Sequence, residues 1–419
     1  MEPKRIGASL CLVTLMMVGC ACTASSSATP TTSHRSTVHA HRTVPTTTTT
    51  TTTTDPSDAP TSVPAPVVPA PGWTASLTAL PPAGGFSSLS CISDTFCVAA
   101  GGGTDGGGTA TTTGSGVALS WDGAVWSVPS VYLPAPANRT VTSPVLPVLT
   151  CTSGPLCVIV DGSDHVATGD GTTWSTPAAL GPAPPLPANP SDPGAGHPGS
   201  RTAAVSCPTP SLCAVVDNTG HTYTKQNGSW LAAQTFGEPQ ASAPSAGPVS
   251  LYQSGRVGVS CPDPTSCTAV VGSSVLDWNG VTWSQEAAPW ATSLAPGTAV
   301  PEAISCPTTS LCVIVNGDDI VVRGSNHTWT PRQLLDPGRQ LDSISCPSTQ
   351  FCIAADDRGG VMSWNGTTWS GPTPAIPTAS EYPGVGISVS CPSAQFCMVM
   401  NGDGDYATYT GPEPTSTSP

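Results

Sequence analysis

Apolar and polar positions along this chain form short β-prone runs separated by turn residues, and the runs recur in sets of four. One set begins Ser343-Ile344-Ser345-Cys346, passes through Pro-Ser-Thr-Gln-Phe, and continues as Cys352-Ile353-Ala354-Ala355. After Asp356 to Gly360 come Val361-Met362-Ser363-Trp364, a turn at Asn365-Gly366, and Thr368-Trp369-Ser370. Gly, Pro, Asn or Asp bounds each run, the pattern of strands joined by turns, and Asn-Gly between two runs is a strong hairpin signal. The pattern predicts an all-β chain of four-stranded units.

Seven units are marked by a Cys, five residues and a second Cys. The pairs are Cys91 and Cys97, Cys151 and Cys157, Cys207 and Cys213, Cys261 and Cys267, Cys306 and Cys312, Cys346 and Cys352, and Cys391 and Cys397. From the first Cys to the following Trp the distance is 23, 23, 22, 23 and 23 residues in the second to sixth units. From Trp to the next unit it ranges from 17 to 33 residues. Constant blades joined by adaptable loops give this contrast. In the first unit the distance is 35, and the excess is a Gly/Thr-rich insertion from Gly101 to Gly116.

The ends of the repeat predict a closed ring. The last unit stops after Tyr406-Ala407-Thr408-Tyr409 without a Trp-Ser strand, while an orphan of that kind, Gly72-Trp73-Thr74, precedes the first Cys. The expected fold is a seven-bladed β-propeller, residues 71–412, closed by an N-terminal strand in the last blade. Such closure leaves no open sheet edge between first and last blades.

Ser363 to Trp369 resembles the Asp-box of BNR-type propellers, found in sialidases and in photosystem II assembly-factor-like propellers, and Ser120–Trp126, Thr168–Trp174 and Asp277–Trp283 are similar. Each is one residue shorter than the family's box. The resemblance implies a structural turn between third and fourth strands, away from a catalytic face. It carries fold and not activity. The family's early Arg-Ile-Pro signature is absent from the domain, and its arginines hold no repeated place.

Thiolates at short spacing can hold zinc, but metal spacings are usually two to four residues and a tetrahedral site needs two pairs to meet. Equivalent positions around a ring stay apart. In an oxidising compartment a Cys pair flanking a five-residue hairpin reads as a disulfide, so one bridge per blade is expected. Each would contribute at most ~2.4 kcal/mol by chain entropy.

The N-terminus points to export. Lys4 and Arg5 precede a short apolar core, Ile6 to Val18, too short for a comfortable membrane span. Met17-Val18-Gly19-Cys20 resembles a bacterial lipobox, which implies a signal peptide over 1–19 and lipidation of Cys20. Residues 20–70 are rich in Thr, Ser and Pro, with nine consecutive threonines at 46–54, and are expected to form a disordered tether. A short disordered tail is expected over 413–419. The chain should sit on the outer face of the cytoplasmic membrane, held only by its lipid; the alternative is an ordinary cleaved signal peptide and a secreted protein.

Beyond residue 70 the chain has 23 acidic and 8 basic side chains. That balance argues against nucleic acid, which demands a basic face. In a four-stranded blade the Cys hairpins and box turns share one face of the ring, and the second-to-third turns share the other with the variable connectors. The latter, irregular face carries Asp161, Asp164, Asp217, Asp318, Asp319, Asp356, Asp357, Asp403 and Asp405, with Glu302 at a connector. It is the expected binding surface for a glycan, a cation or a basic protein, although Asp and Asn are also good turn formers. Asn401-Gly-Asp403-Gly-Asp405 lacks the Gly and Glu that an EF-hand loop places at its sixth and twelfth positions, and no metal is expected there. No nucleophile elbow, zinc-protease or phosphate-loop motif occurs, and no cofactor is implied. The reading is a monomeric, non-catalytic binding or scaffold module. A carbohydrate-active hydrolase or lyase, or an extracytoplasmic sensor, is the alternative.

Overall fold

The structure is a computed structural model that describes residues 72–76, 80, 85–102, 116–133, 147–154, 156–161, 165–181, 203–218, 220–236, 257–271, 274–288, 301, 303–376 and 386–411. The expected signal segment, tether and tail, together with Cys20, Asp164 and Glu302, lie outside these residues.

Seven antiparallel sheets carry strands here called a to d, from the innermost outward; six are four-stranded, and the sheet of Ala203–Thr209 has a fifth strand, Gln234–Thr235, that also pairs with strand c. The innermost strands are Phe86–Ser93, Val148–Thr152, Ala203–Thr209, Val257–Asp263, Ala303–Thr308, Leu341–Ser348 and Ser388–Ser393, for blades 1 to 7. Each lies beside the next, and the last beside the first, so the blades form a closed seven-membered ring. Blade 7 is completed by Trp73–Ser76, which pairs with Tyr406–Thr410 in the register Trp73 to Tyr409. The Gly72 carbonyl accepts the Thr410 N–H at 3.0 Å, extending that ladder by one bond.

Core packing is entirely between blades. Seven apolar clusters fill the seven junctions, including the one between blades 7 and 1, where Phe396, Met398 and Met400 meet Leu89, Ala99, Leu119 and Trp121. Strand alternation explains this: side chains on one face of a blade meet the preceding blade, and those on the other face meet the following one.

Every Cys pair expected from the sequence forms a disulfide within its own blade, joining strands a and b. Cys91 is bonded to Cys97, Cys151 to Cys157, Cys207 to Cys213 and Cys261 to Cys267. Cys306 is bonded to Cys312, Cys346 to Cys352 and Cys391 to Cys397. All fourteen side chains are buried on the face that meets the preceding blade. The strand b partner is the deeper of each pair: Cys97, Cys157, Cys213, Cys267, Cys312, Cys352 and Cys397 are each less exposed than the strand a cysteine they join.

A second ring of contacts ties the innermost strands. The backbone N–H of the first Cys of one blade donates to the hydroxyl of the residue preceding the first Cys of the previous blade. Cys151 donates to Ser90 at 2.9 Å, Cys261 to Ser206 at 3.0 Å, Cys306 to Ser260 at 2.9 Å, Cys346 to Ser305 at 2.9 Å, Cys391 to Ser345 at 3.0 Å and Cys91 to Ser390 at 2.9 Å. Among the described residues six of the seven junctions carry this bond. At the seventh, Thr150 stands in the serine's place. Where the motif reads Ser-x-Ser-Cys, the earlier serine adds a second rung, as from Leu149 N–H to Ser88 and from Val389 N–H to Ser343. The innermost strands thus satisfy main-chain donors through side chains of the neighbouring blade, where no ladder bonds exist.

The outer strand differs from the sequence reading. The sequence places the fourth strand at Trp-Ser, but in blades 1, 2, 5 and 6 the Trp makes only an isolated bridge. Pairing resumes a few residues later, at Ser130–Leu133, Ala178–Ala179, Gln333–Leu334 and Thr373–Pro374. The cause is the hydroxyl after each Trp. Ser127, Ser175, Thr330 and Ser370 accept the strand c backbone N–H at 2.9 to 3.0 Å, the role a strand d carbonyl would have taken.

Candidate functional site

The irregular face is built from the strand b–c turns and the connectors between blades. Four residues after the second Cys, five blades carry Asp161, Asp217, Asn316, Asp356 or Asn401. All five side chains are buried. Asp161 Oδ1 accepts the His165 N–H at 2.9 Å, and Asp217 Oδ1 accepts the His221 N–H at 2.9 Å. Asp356 Oδ1 takes the Arg358 and Gly360 N–H groups at 2.7 and 2.9 Å, and Asn401 Oδ1 those of Asp403 and Asp405 at 3.0 and 2.9 Å. These side chains close their own turns, which is the Asx-turn chemistry of their residue type. Of the expected site carboxylates, then, Asp161, Asp217 and Asp356 face inward onto backbone donors.

The others stand further out. Asp357 is exposed, and Asp318, Asp403 and Asp405 are partly exposed, all on the b–c turns of blades 5, 6 and 7. Asp318 accepts the Gly338 N–H at 3.3 Å, and Asp405 accepts Asn401 Nδ2 at 3.3 Å. Asp319 is buried and pairs with Arg332. Arg339, half-buried, and Arg358, exposed, share this sector.

Connectors dock on these turns by a recurring contact. The Leu335 and Asp336 N–H groups donate to the Asp318 carbonyl at 2.9 and 3.2 Å, and those of Ala375 and Ile376 to the Gly359 carbonyl at 2.9 and 3.1 Å. Gly359 holds φ at 83°, and a Cβ there would lie 2.6 Å from the Ile376 carbonyl oxygen. Glycine is therefore required on two counts, the left-handed backbone and the close approach.

Blades 2 and 3 carry a His–Asp pair at the same position. His221 Nδ1 lies 3.0 Å from Asp217 Oδ2, with both side chains buried, and His165 Nδ1 lies 3.4 Å from Asp161 Oδ2, with His165 41% exposed. Tyr132 of blade 1 is buried, and burial and the Asp161 charge both push its phenol well above its ordinary value. The sequence showed these histidines singly; their common offset of four from the turn Asp is the signal that pairs them. Among the described residues no group of three or more His, Cys, Asp or Glu could hold a metal ion.

The opposite face is regular. Its c–d turns are closed by Asp122, Asp170, Asn279 and Asn365, each accepting two backbone N–H bonds from the residues two and three further on. At Asp170 the Thr173 and Thr172 N–H groups, with the Thr172 hydroxyl, hold the carboxyl well below the usual carboxylate range. A groove of about 330 Å³ lies on this side between the Cys hairpins of blades 7 and 1, lined by Ile92, Asp94, Gln395, Phe396 and Thr410 among others.

No family model matches the chain, and no curated protein matches it in sequence. Solved structures resemble it in three dimensions. YCF48 bound to D1 peptide superposes with a TM-score of 0.51 at 12% identity, covering 83% of this chain and 99% of that one. A streptogramin B lyase gives 0.55 at 8% identity, covering 81% and 97%. The WD40 propeller domain of Doa1 gives 0.51 at 10%, covering 83% and 99%. At these identities the likeness is one of fold alone: the chain is an all-β, seven-bladed propeller with a disulfide in every blade.

Proposed function

We propose that this chain is an exported, lipid-anchored binding module. Its propeller would be presented outside the membrane on the 20–70 tether, held by Cys20, and its irregular face would take a basic segment of a protein partner. The observation that carries the reading is the row of carboxylates at Asp318, Asp357, Asp403 and Asp405 on three consecutive blades. Buried Asx caps at Asp356 and Asn401 fix two of the turns that present them, and the equivalent Asn316 is buried as well. Preorganised carboxylates of one sign steer and orient a Lys/Arg-bearing partner without having to order themselves first. Export agrees with seven disulfides, which persist in oxidising compartments. A structural neighbour, YCF48, is seen with a peptide bound, so the fold is able to hold one.

The test is a thermal-shift panel on the oxidised full-length chain, with Lys/Arg-rich peptides, acidic peptides, cell-wall fragments and neutral oligosaccharides. A ligand that binds only the folded state raises the melting temperature, by the equivalent of ~2.7 kcal/mol at 100 times its dissociation constant. A rise with the basic peptides alone supports the reading. A rise with a sugar class alone replaces the partner by a glycan.

A second reading, a lyase or hydrolase, draws on His165, whose side chain is 41% exposed and whose Nδ1 lies 3.4 Å from Asp161 Oδ2. An exposed imidazole beside a carboxylate is suited to proton abstraction. Under that reading His165→Gln abolishes turnover of a substrate that the thermal-shift panel identifies, with the melting temperature unchanged.

A further inference from the structure

At six junctions of the ring the innermost strands are tied by the serine that precedes a first Cys. Among the described residues, the innermost strands of blades 2 and 3, Val148–Thr152 and Ala203–Thr209, share no such bond. Thr150 brings a hydroxyl to the serine's place but adds a methyl group, and a β-branched side chain has few orientations to choose from.

The outer strands repeat the contrast. Trp174 Nε1 of blade 2 donates to Ser130 Oγ of blade 1 at 3.1 Å, and Trp283 Nε1 of blade 4 to Thr224 Oγ1 of blade 3 at 2.9 Å. Trp329 Nε1 of blade 5 donates to Glu286 Oε1 of blade 4 at 3.3 Å. Trp230, their counterpart in blade 3, makes no such bond to blade 2 among the described residues. Apolar packing holds this junction, with Val158, Val160 and Leu180 of blade 2 against Cys213, Val215 and Tyr223 of blade 3.

We propose that the blade 2–3 junction is the seam at which the ring opens. The other six junctions have an apolar cluster of the same kind and the directional bonds in addition. Apolar contacts are non-directional, so the two blades can part here without first breaking a ladder of hydrogen bonds, and the free energy of local opening is lowest at this place. Opening uncovers two buried groups. One is the Cys207–Cys213 bridge, whose sulfurs lie in this junction. The other is His221, 5% exposed and 3.0 Å from Asp217, two residues before Tyr223 on the same face of its strand. A His–Asp pair shut inside the closed ring is thereby reached through the seam.

The inference is independent of what the irregular face binds. It is tested by dithiothreitol reduction of the full-length oxidised chain in urea below the unfolding midpoint, with alkylation and peptide mapping at intervals. One thiolate of the reagent attacks a bridge sulfur and the other sulfur leaves as a cysteine thiolate. The second thiol of the reagent then displaces the first cysteine, so the reagent ends as its cyclic disulfide and the bridge as two thiols. The expected result is that Cys207–Cys213 is reduced about tenfold faster than any of the other six bridges. Burial in the closed ring does not set it apart: Cys207 and Cys213 are 6% and 0% exposed, and Cys346 and Cys352 are 7% and 0%. Thr150→Ser, which offers the Cys207 N–H the acceptor that the other junctions have, should slow that one bridge about fivefold and leave the rest as they were. Reduction of all seven bridges at one rate, or first at another junction, overturns the seam. So does an equal rate at Cys207–Cys213 in the wild-type chain and Thr150→Ser.

Discussion

The backbone N–H of Cys91 in the first blade donates to the Oγ of Ser390 in the last, 299 residues further along the chain, at 2.9 Å. The same bond recurs at five other blade junctions, so the junction that closes the ring is built as they are. Closure thus rests on two independent devices, this hydroxyl ring at the channel and the Trp73–Ser76 strand at the rim.

Removing one hydroxyl of the ring leaves a main-chain donor between blades without its acceptor. Ser390→Ala is expected to lower unfolding free energy by about 1 kcal/mol, the ordinary net worth of such a bond. Urea denaturation of the oxidised chain measures it, with Ser393→Ala, whose hydroxyl accepts the Gln395 N–H in a solvent-exposed bond within its own hairpin, as the comparison expected to stay within ~0.5 kcal/mol.

The rim device should be worth more. Trp73 is buried against Tyr409, with ring centroids 5.5 Å apart, and packs into the cluster between blades 6 and 7. Trp73→Ala is expected to cost ~3–5 kcal/mol, as for other buried large-to-small changes. Limited proteolysis should then release the segment preceding Phe86 before any other part of the domain is cut.

The disulfides lie inside blade junctions, so reduction should require unfolding. Dithiothreitol at neutral pH is expected to leave the seven bridges intact in the native protein and to open them in urea, read as the alkylation mass shift. The double variant Cys346→Ala/Cys352→Ala should lose up to ~2.4 kcal/mol through chain entropy, with a further loss from packing.

The Asp336 carboxyl, raised to about 6, makes global stability depend on pH in a defined direction. The contribution is complete below about pH 4 and gone above about pH 6, so the denaturant midpoint should fall across that window. Asp336→Asn should remove that component of the fall while leaving the rest of the pH profile in place.

Much of this architecture is legible in the repeat. Constant Cys-to-Trp spacing implies the blades, and the orphan Trp73 implies how they close. What the sequence hides is where equivalent side chains point. Ser or Thr precedes every first Cys, a periodicity as plain as the cysteines themselves, yet only the ring arrangement turns the six serine hydroxyls toward the next blade. The turn carboxylates are ambiguous for a related reason. Asp356 and Asp357 are neighbours in sequence, but one is buried as a cap and the other is exposed, because the cap must face the turn's own N–H groups.

The most direct test of the binding account is fluorescence anisotropy of a labelled nine-residue Lys/Arg-rich peptide against the oxidised full-length chain, at 50 and 200 mM salt. The account predicts saturable binding that weakens with salt and falls at least tenfold in Asp318→Asn/Asp357→Asn/Asp405→Asn, with the melting temperature of the variant unchanged. Equal affinity for the wild-type chain and the triple variant, or no saturation at 50 mM salt, would contradict it.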